Sequence, residues 1–295
     1  RQFFEQAGVA SPRFTLCRLD EDRAELAAQV EYPCVVKPLS LAASQGVMRA
    51  DDPEQFVAMV DRLEAILACQ DGEPAREFLV EQFVEGPEVA LEGILTRSSL
   101  RVLALFDKPD PLDGPFFEET IYLTPPGLAD EVRQSVASSV EQAASALGLT
   151  DGPVHAELRL TGDGPVVLEV HGRSIGGLCS RLLKFGSGLS LEELIIRHAM
   201  DQEIDLPDRQ REAAGVMMIP IPAAGRLEEI RGQEDARAVA GIDDLTITAH
   251  LGQQLVPLPE GSQYLGFLFA RADEPEEVEQ ALRQAHRQLE FVIQP

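Results

Sequence analysis

The chain has 295 residues, 44% of them apolar, and a formal charge of −25 from 50 acidic and 25 basic side chains. Such a length holds one large or two modest domains with a true core. The acidic balance argues against nonspecific nucleic-acid binding and anionic membrane surfaces, and no apolar run approaches the roughly 20 residues of a membrane helix.

The opening stretch, RQFFEQAGVASPRF, predicts an amphipathic helix followed by a turn. It has neither a starting Met nor a signal peptide, and residues 1–13 read as the last helix of a domain that precedes them. A helix is expected over 20–30, then PCVVKPL as a buried strand carrying Lys37, then the small, polar loop SLAASQGV with Ser44 and Gly46. Asp52 as N-cap and Pro53 in the first turn open a helix with Phe56, Met59, Val60, Leu63 and Leu67 on one face. After the polar break CQDGEPA, EFLVEQFVEGPEVALEGILT predicts two strands around Gly86-Pro87. RVLALFDKP predicts another strand, with Lys108 near its end. The Pro-rich PDPLDGPFFEETIYLTPPG, with Glu118 and Glu119, is expected to be irregular, and 129–147 to be a helix closed by Gly148.

Residues 154–177 come next and predict a hairpin. Ser190 and Glu193 make a capping box for a helix ending near Met200. The polar residues 201–213 suggest a boundary. Beyond it, GVMMIPIP, LTITAH, QLVPLP and YLGFLFA predict strands, Gly252-Gln253 a hairpin turn, and 276–289 a helix with Pro275 in its first turn. Hairpins outnumber βαβ alternation, so the class is α+β with mostly antiparallel sheets. Cys17, Cys34, Cys69 and Cys179 show no CxxC and no zinc spacing, which suits reduced thiols in a cytoplasmic protein. Lysine is scarce: Lys37, Lys108 and Lys184 stand against 22 arginines. Where Arg supplies generic charge, a Lys is more often chosen for its compact ammonium, though Lys184 lies in a polar stretch and reads as drift.

The hairpin VHAELRL-TGDG-PVVLEVHGRSIGG carries Glu157 and Glu169 inside strands that otherwise read as core. Buried like charges repel, so a cation should lie between them. If Thr161 faces Pro165 across a three-residue loop, Glu157 lies opposite Glu169, His155 opposite His171, Ala156 opposite Val170 and Leu158 opposite Leu168. This register leaves one face apolar and gives the other Glu, Glu and His. Hard divalent cations take carboxylate oxygens, and Mg2+ commonly uses one or two of them plus substrate phosphates. Arg173 and Gly176-Gly177 follow, a pattern suited to phosphate or carboxylate recognition. Taken alone, the pair reads equally well as the wet face of an ordinary hairpin. Glu81 and Glu88, flanking the turn in FLVEQFVEGPE, could accept from an adenine amino group and from ribose hydroxyls, or be plain solvated acids.

In this order, VVKP with SLAASQGV, EQFVEGPE, and AEL…LEVHGRSIGG resemble the ATP-grasp superfamily over residues 14–200. The resemblance implies two α+β subdomains clasping ATP, a small one over 14–84 and a large one over 85–205. It implies that Lys37 and Lys108 contact phosphates, with Ser44 and Gly46 in the flexible loop. Glu81 and the Phe83-Val84 backbone would hold adenine, and Glu88 ribose. Glu157 and Glu169 would ligate Mg2+ (or Mn2+), and Arg173 would bind the transferred phosphate or a substrate carboxylate. His171 stands where the family usually has Asn, and imidazole suits softer metals better, so His171 could ligate metal, hold a water or stand back. Residues 214–295 resemble the C-terminal α+β domain of L-amino-acid ligases and carnosine-synthase-like enzymes, families with a further domain before the first helix. The implied activity is an ATP-dependent carboxylate–amine ligase that forms an acyl phosphate and joins small molecules, amino acids among them. Competing readings are a bicarbonate-activating, carboxylase-like enzyme and a nucleotide-binding module without catalysis. A homo-oligomer is left open.

Overall fold

The computed structural model describes residues 1–70, 76–185, 188–202 and 212–295; most of the polar break after Cys69 and of the boundary at 201–213 lies outside them. α1 (Gln2–Ala7) opens the chain and sets Phe4 in the core of the large sheet, beside Val136 and Val140; the first unit holds β1 (Phe14–Arg18), α2 (Arg23–Gln29), β2 (Cys34–Pro38), β3 (Met48–Ala50), α3 (Pro53–Ala68) and β4 (Glu77–Gln82). Its four strands form one antiparallel sheet in the order β1-β4-β2-β3. Asp52 caps as expected, accepting from Gln55, and Asp22, inside the stretch expected as helix, proves to be a cap that accepts from Ala24 and Glu25. α3 buries Phe56, Val60, Leu63, Ile66 and Leu67 against Val36, Met48 and Phe78 of the sheet. β1 was not foreseen, because its FTLCR is short and buries only Cys17.

The rest is organised by one eight-stranded sheet. It takes β5 (Glu88–Thr96), β6 (Ser99–Asp107), β7 (Ile121–Thr124), α4 (Asp130–Ala146) on its face, β8 (Gly152–Thr161) and β9 (Gly164–His171). After a two-residue pair, β10 (Lys184–Phe185) and β11 (Leu189–Ser190), come α5 (Leu191–Ala199), β12 (Ala213–Ile219), β13 (Gly225–Arg231), α6 (Gln233–Arg237), β14 (Ile242–Ile247), β15 (Gln254–Leu255), β16 (Gly266–Ala272), α7 (Pro275–His286) and β17 (Glu290–Gln294). The sheet order is β14-β16-β12-β7-β6-β5-β8-β9, so β12, β14 and β16 extend the same sheet as the hairpin, while β13, β15 and β17 form a separate three-stranded sheet in the order β15-β13-β17. β7 lies where an irregular segment was expected; four residues between prolines give too short a pattern to see, yet all four are buried. One face of the sheet packs on α4 through Val89, Leu91, Ala156 and Leu158, and on α7 through Leu123, Met217 and Leu268. The other face carries Ala90, Phe106, Val216 and Phe267 beneath α5 and residues 175–185. Burial on both faces explains why β5 reads as a nearly continuous apolar run.

The two sheets meet at 83–87. Gly86 has φ 123, and a Cβ there would lie 2.2 Å from the Leu160 carbonyl oxygen. Only glycine lets the crossing pass so close to the hairpin. Gly86→Ala is therefore expected to cost about 2–4 kcal/mol. A fall in the urea midpoint at unchanged m-value would show it; a midpoint matching wild type would mean the crossing relaxes freely.

Among the described residues, no helix is long and apolar enough to cross a membrane.

Candidate active site

The hairpin expected around Thr161 forms, but by another route. Thr161 pairs with Gly164, not Pro165, so the turn is the two residues Gly162-Asp163. Leu158 pairs with Val167, not Leu168. A β-bulge at Leu168 then shifts the register, and Glu157 faces Glu169, Ala156 faces Val170 and His155 faces His171 as expected. Without the bulge, the tight turn would have set Glu157 opposite Leu168. Bulges re-aim side chains beside functional sites, and this one brings Glu169 to the face of Glu157.

β8 is the inner strand of the hairpin and pairs on its other side with β5. Glu88 thereby faces Arg159, and Glu92 faces His155. These pairings are long-range in sequence, which is why Arg159, Glu92 and the surroundings of His155 escaped notice. Arg159 is buried; it donates to Glu88 Oε2 at 3.0 Å, to the Gly86 carbonyl at 2.7 Å and to the Leu112 carbonyl.

A cleft between the small sheet and the hairpin is lined by Lys37, Ser44, Glu81, Phe83, Val84, Glu88, Glu119, Glu157, Glu169, His171 and Arg173. Glu119 comes from the Pro-rich segment, whose sequence carries no signal for a place in the cleft. Lys37 crosses the cleft to Glu169 Oε2 at 2.9 Å. Gly46 is buried behind the loop, and its N–H donates to the Pro259 carbonyl at 2.9 Å. Lys108 is also behind the surface, 6% exposed, with Nζ 2.6 Å from Glu88 Oε1, 3.3 Å from Glu157 Oε2 and bonded to Glu119 Oε1. Glu88, Glu119 and Glu157 each place an oxygen within 4.8 Å of the others, so three acids converge on one ammonium. Glu169 and His171 lie outside that group; His171 Nε2 is 3.0 Å from Glu169 Oε1. Glu81 is bound by Arg1, through Nε at 2.5 Å and Nη2 at 2.9 Å. Phe83 stacks on Phe117, with ring centroids 6.3 Å apart. Arg173 is exposed at the rim and donates to the Ser174 carbonyl at 2.8 Å.

The charges set one another. Burial would raise the Glu157 carboxyl, but the Lys108 ammonium and the His155 imidazole hold it far below the usual range. Burial and Glu157 push Glu169 up; His171 and Lys37 outweigh them and carry it down to about 2. Burial opposes a charged His155, yet its bonds to Glu157 and Glu92 carry it up to about 9. Lys108 is likewise pushed well above its usual value, burial being overcome by Glu119, Glu157 and Glu88. Glu119 moves the other way from Glu157, raised by burial and by the Glu157 charge. Glu157 and Glu169 are thus two ionised, hard oxygen donors facing each other on adjacent strands. That donor set fits an oxygen-preferring divalent cation. Two ammonium groups lie beside it.

Residues 30–181 match the ATP-grasp domain family, and residues 217–294 match L-amino acid ligase C-terminal domain 2. An uncharacterized protein of Sinorhizobium fredii is 26% identical over all of this chain, which spans 60% of its length. Dapdiamide A synthase of Enterobacter agglomerans is 33% identical over 58% of this chain and 40% of its own length. The chain thus spans about half the length of these curated relatives. Among solved structures, an L-amino acid ligase from Bacillus licheniformis superposes with a TM-score of 0.83 at 29% identity, covering 100% of this chain and 72% of that one.

Proposed function

The chain belongs to the ATP-grasp family, and on that premise we propose that it works as an ATP-dependent carboxylate–amine ligase. The observation that carries this reading is the Lys37–Glu169 ion pair at 2.9 Å, which sets the small sheet's ammonium beside the hairpin's carboxylates. A carboxylate substrate attacks the γ-phosphorus of ATP; the bond to ADP breaks and an acyl phosphate forms. An amine then displaces phosphate and leaves an amide. The substrates we infer are small carboxylates and amines, amino acids among them.

Each group has a place in this scheme. The Phe83-Val84 backbone takes the adenine edge, and Phe83 with Phe117 supplies an aromatic wall. Glu81 is committed to Arg1, so its part is to shape that wall. Glu88 keeps lone pairs for ribose beyond those used by Lys108 and Arg159. Lys37 and Lys108 neutralise phosphate charge, with the Ser44 hydroxyl of the loop as a further donor, and phosphoryl transfer depends mostly on such positioning and electrostatics. Glu157 and Glu169 would hold Mg2+ (or Mn2+), which when bound would supply further charge neutralisation. His171 holds Glu169 in place. Arg173 at the rim meets the acyl phosphate. Glu119, raised and in the cleft, takes the proton of the attacking amine. A cytoplasmic location belongs to the proposal, since it supplies ATP and suits four free cysteines.

The test is a phosphate-release screen over pairs of amino acids, with ATP and Mg2+. Release that requires both members of some pair is the expected result. ATP bound without ADP formation for every pair would overturn the ligase reading in favour of a binding module.

A further inference from the structure

Glu92 lies on β5, fully buried, and outside the cleft. A carboxylate at 0% exposure is costly unless it is held by partners. Its Oε2 accepts from the Ile175 N–H at 3.0 Å and lies 3.2 Å from His155 Nδ1. The other ring nitrogen of His155 lies 3.4 Å from Glu157 Oε1. One oxygen therefore touches both the loop that carries Arg173 and, through an imidazole, a carboxylate of the hairpin. Among the described residues, Glu92 Oε1 has no hydrogen-bond partner.

Burial without full satisfaction is unusual, and a second feature shows what it holds. Besides the bond to Glu92, the loop from Gly172 to Gly177 has its Gly176 carbonyl accepting from the Cys179 N–H at 3.4 Å and its Ser174 carbonyl accepting from Arg173 at 2.8 Å. Gly172, Arg173, Gly176 and Gly177 are exposed, and Ile175 alone is buried. Gly177 sits at φ 60, and a Cβ there would come within 3.2 Å of the Phe267 ring. The backbone thus runs close over the sheet, pinned by the Ile175 side chain and by its N–H on Glu92. β-strand pairing fixes the other end, because Glu92 faces His155 across β5 and β8, and His155 stacks on His171 at 6.4 Å between ring centroids.

We propose that Glu92 is a positioning residue, which registers the Arg173–Gly177 loop against Glu157 by way of Ile175 and His155. It touches no substrate. The role rests on the ligase reading only for its purpose, which is to keep the group at the rim aligned with the carboxylates that the reaction uses. A misplacement of about 1 Å in such a group can lower a rate by about 100-fold.

The experiment uses Glu92→Leu and Glu92→Gln in the full chain. Leu removes both bonds at similar volume; Gln keeps an oxygen for the Ile175 N–H. Hydrogen exchange needs no substrate and tests the positioning by itself. In Glu92→Leu, amides at 172–177 should exchange at least about 10-fold faster while β5 and β8 keep their protection. In Glu92→Gln, most of the loop's protection should return. With the amino-acid pair that supports phosphate release, kcat should fall about 100-fold in Glu92→Leu at unchanged KM for ATP, and recover in part with Gln. Unchanged exchange at 172–177, loosening spread evenly through the sheet, or a Gln variant no better than Leu would overturn the proposal. If wild type shows no release with any pair while the loop still loosens as stated, the ligase reading fails and the positioning stands.

Discussion

Glu169→Gln is expected to lower turnover by about 10²- to 10³-fold while leaving the fold intact. The amide has the carboxylate's shape: its oxygen can still accept from Lys37, which meets Oε2 at 2.9 Å, while its NH2 takes the place of Oε1, 3.0 Å from His171 Nε2. What disappears is one of two facing negative charges, the feature that suits the pair to a divalent cation. The loss should fall on kcat and on the dependence on divalent metal, with adenine recognition at Phe83-Val84 untouched. Stability should respond with a definite sign. The Glu169 carboxyl is depressed to about 2, with His171 and Lys37 overcoming burial and Glu157. A depressed acid contributes stability above its unfolded value, about 4.3, and loses it as pH falls through the folded value. Wild type should therefore lose stability between about pH 5 and pH 2 faster than Glu169→Gln does. Steady-state kinetics with titrated Mg2+, and urea midpoints at several pH values, check the two parts. A variant keeping a tenth or more of wild-type kcat would remove Glu169 from the metal site.

Much of this was legible, for identifiable reasons. Two helix starts are legible because caps are local: Asp52 and Ser190 each accept from a backbone N–H three residues on. Glu157 and Glu169 were found facing each other from their spacing, but through a turn that does not exist. The Gly162-Asp163 turn and the bulge at Leu168 make two offsetting errors of one residue each, and sequence periodicity reads only their sum. The pairing of β5 with β8 could not be read at all, since 71 and 63 residues separate the partners Glu88–Arg159 and Glu92–His155. That pairing supplies the buried half of the site. The sequence likewise hid the fact that β12, β14 and β16 continue the hairpin's sheet, because a polar stretch looks the same whether or not a sheet bridges it.

Lys108→Met should be the most destabilising single change in the site. Lys108 is 6% exposed and is the ammonium on which Glu88, Glu119 and Glu157 converge. Methionine matches its volume, so the loss is electrostatic, not steric. Removing one partner of a buried ion pair typically costs about 3–5 kcal/mol, because the remaining charge stays buried. Here three acids lose their shared cation, although Arg159 still serves Glu88 at 3.0 Å and His155 lies 3.4 Å from Glu157. The acids can escape the cost by taking up protons. Glu119 is already raised by burial and by Glu157, and without Lys108 it should rise further. An acid whose folded value is raised favours the fold below its unfolded value and loses that contribution as pH rises through the folded one. The deficit of Lys108→Met should accordingly be small near pH 5 and large near pH 8. Lys108→Arg retains the charge but must fit a planar guanidinium where a compact ammonium sits, so it should fall between the two. Urea denaturation of all three proteins at both pH values decides the matter. A Lys108→Met protein as stable as wild type at pH 8, or one whose deficit grows towards acid, would mean that the three carboxylates do not depend on this ammonium.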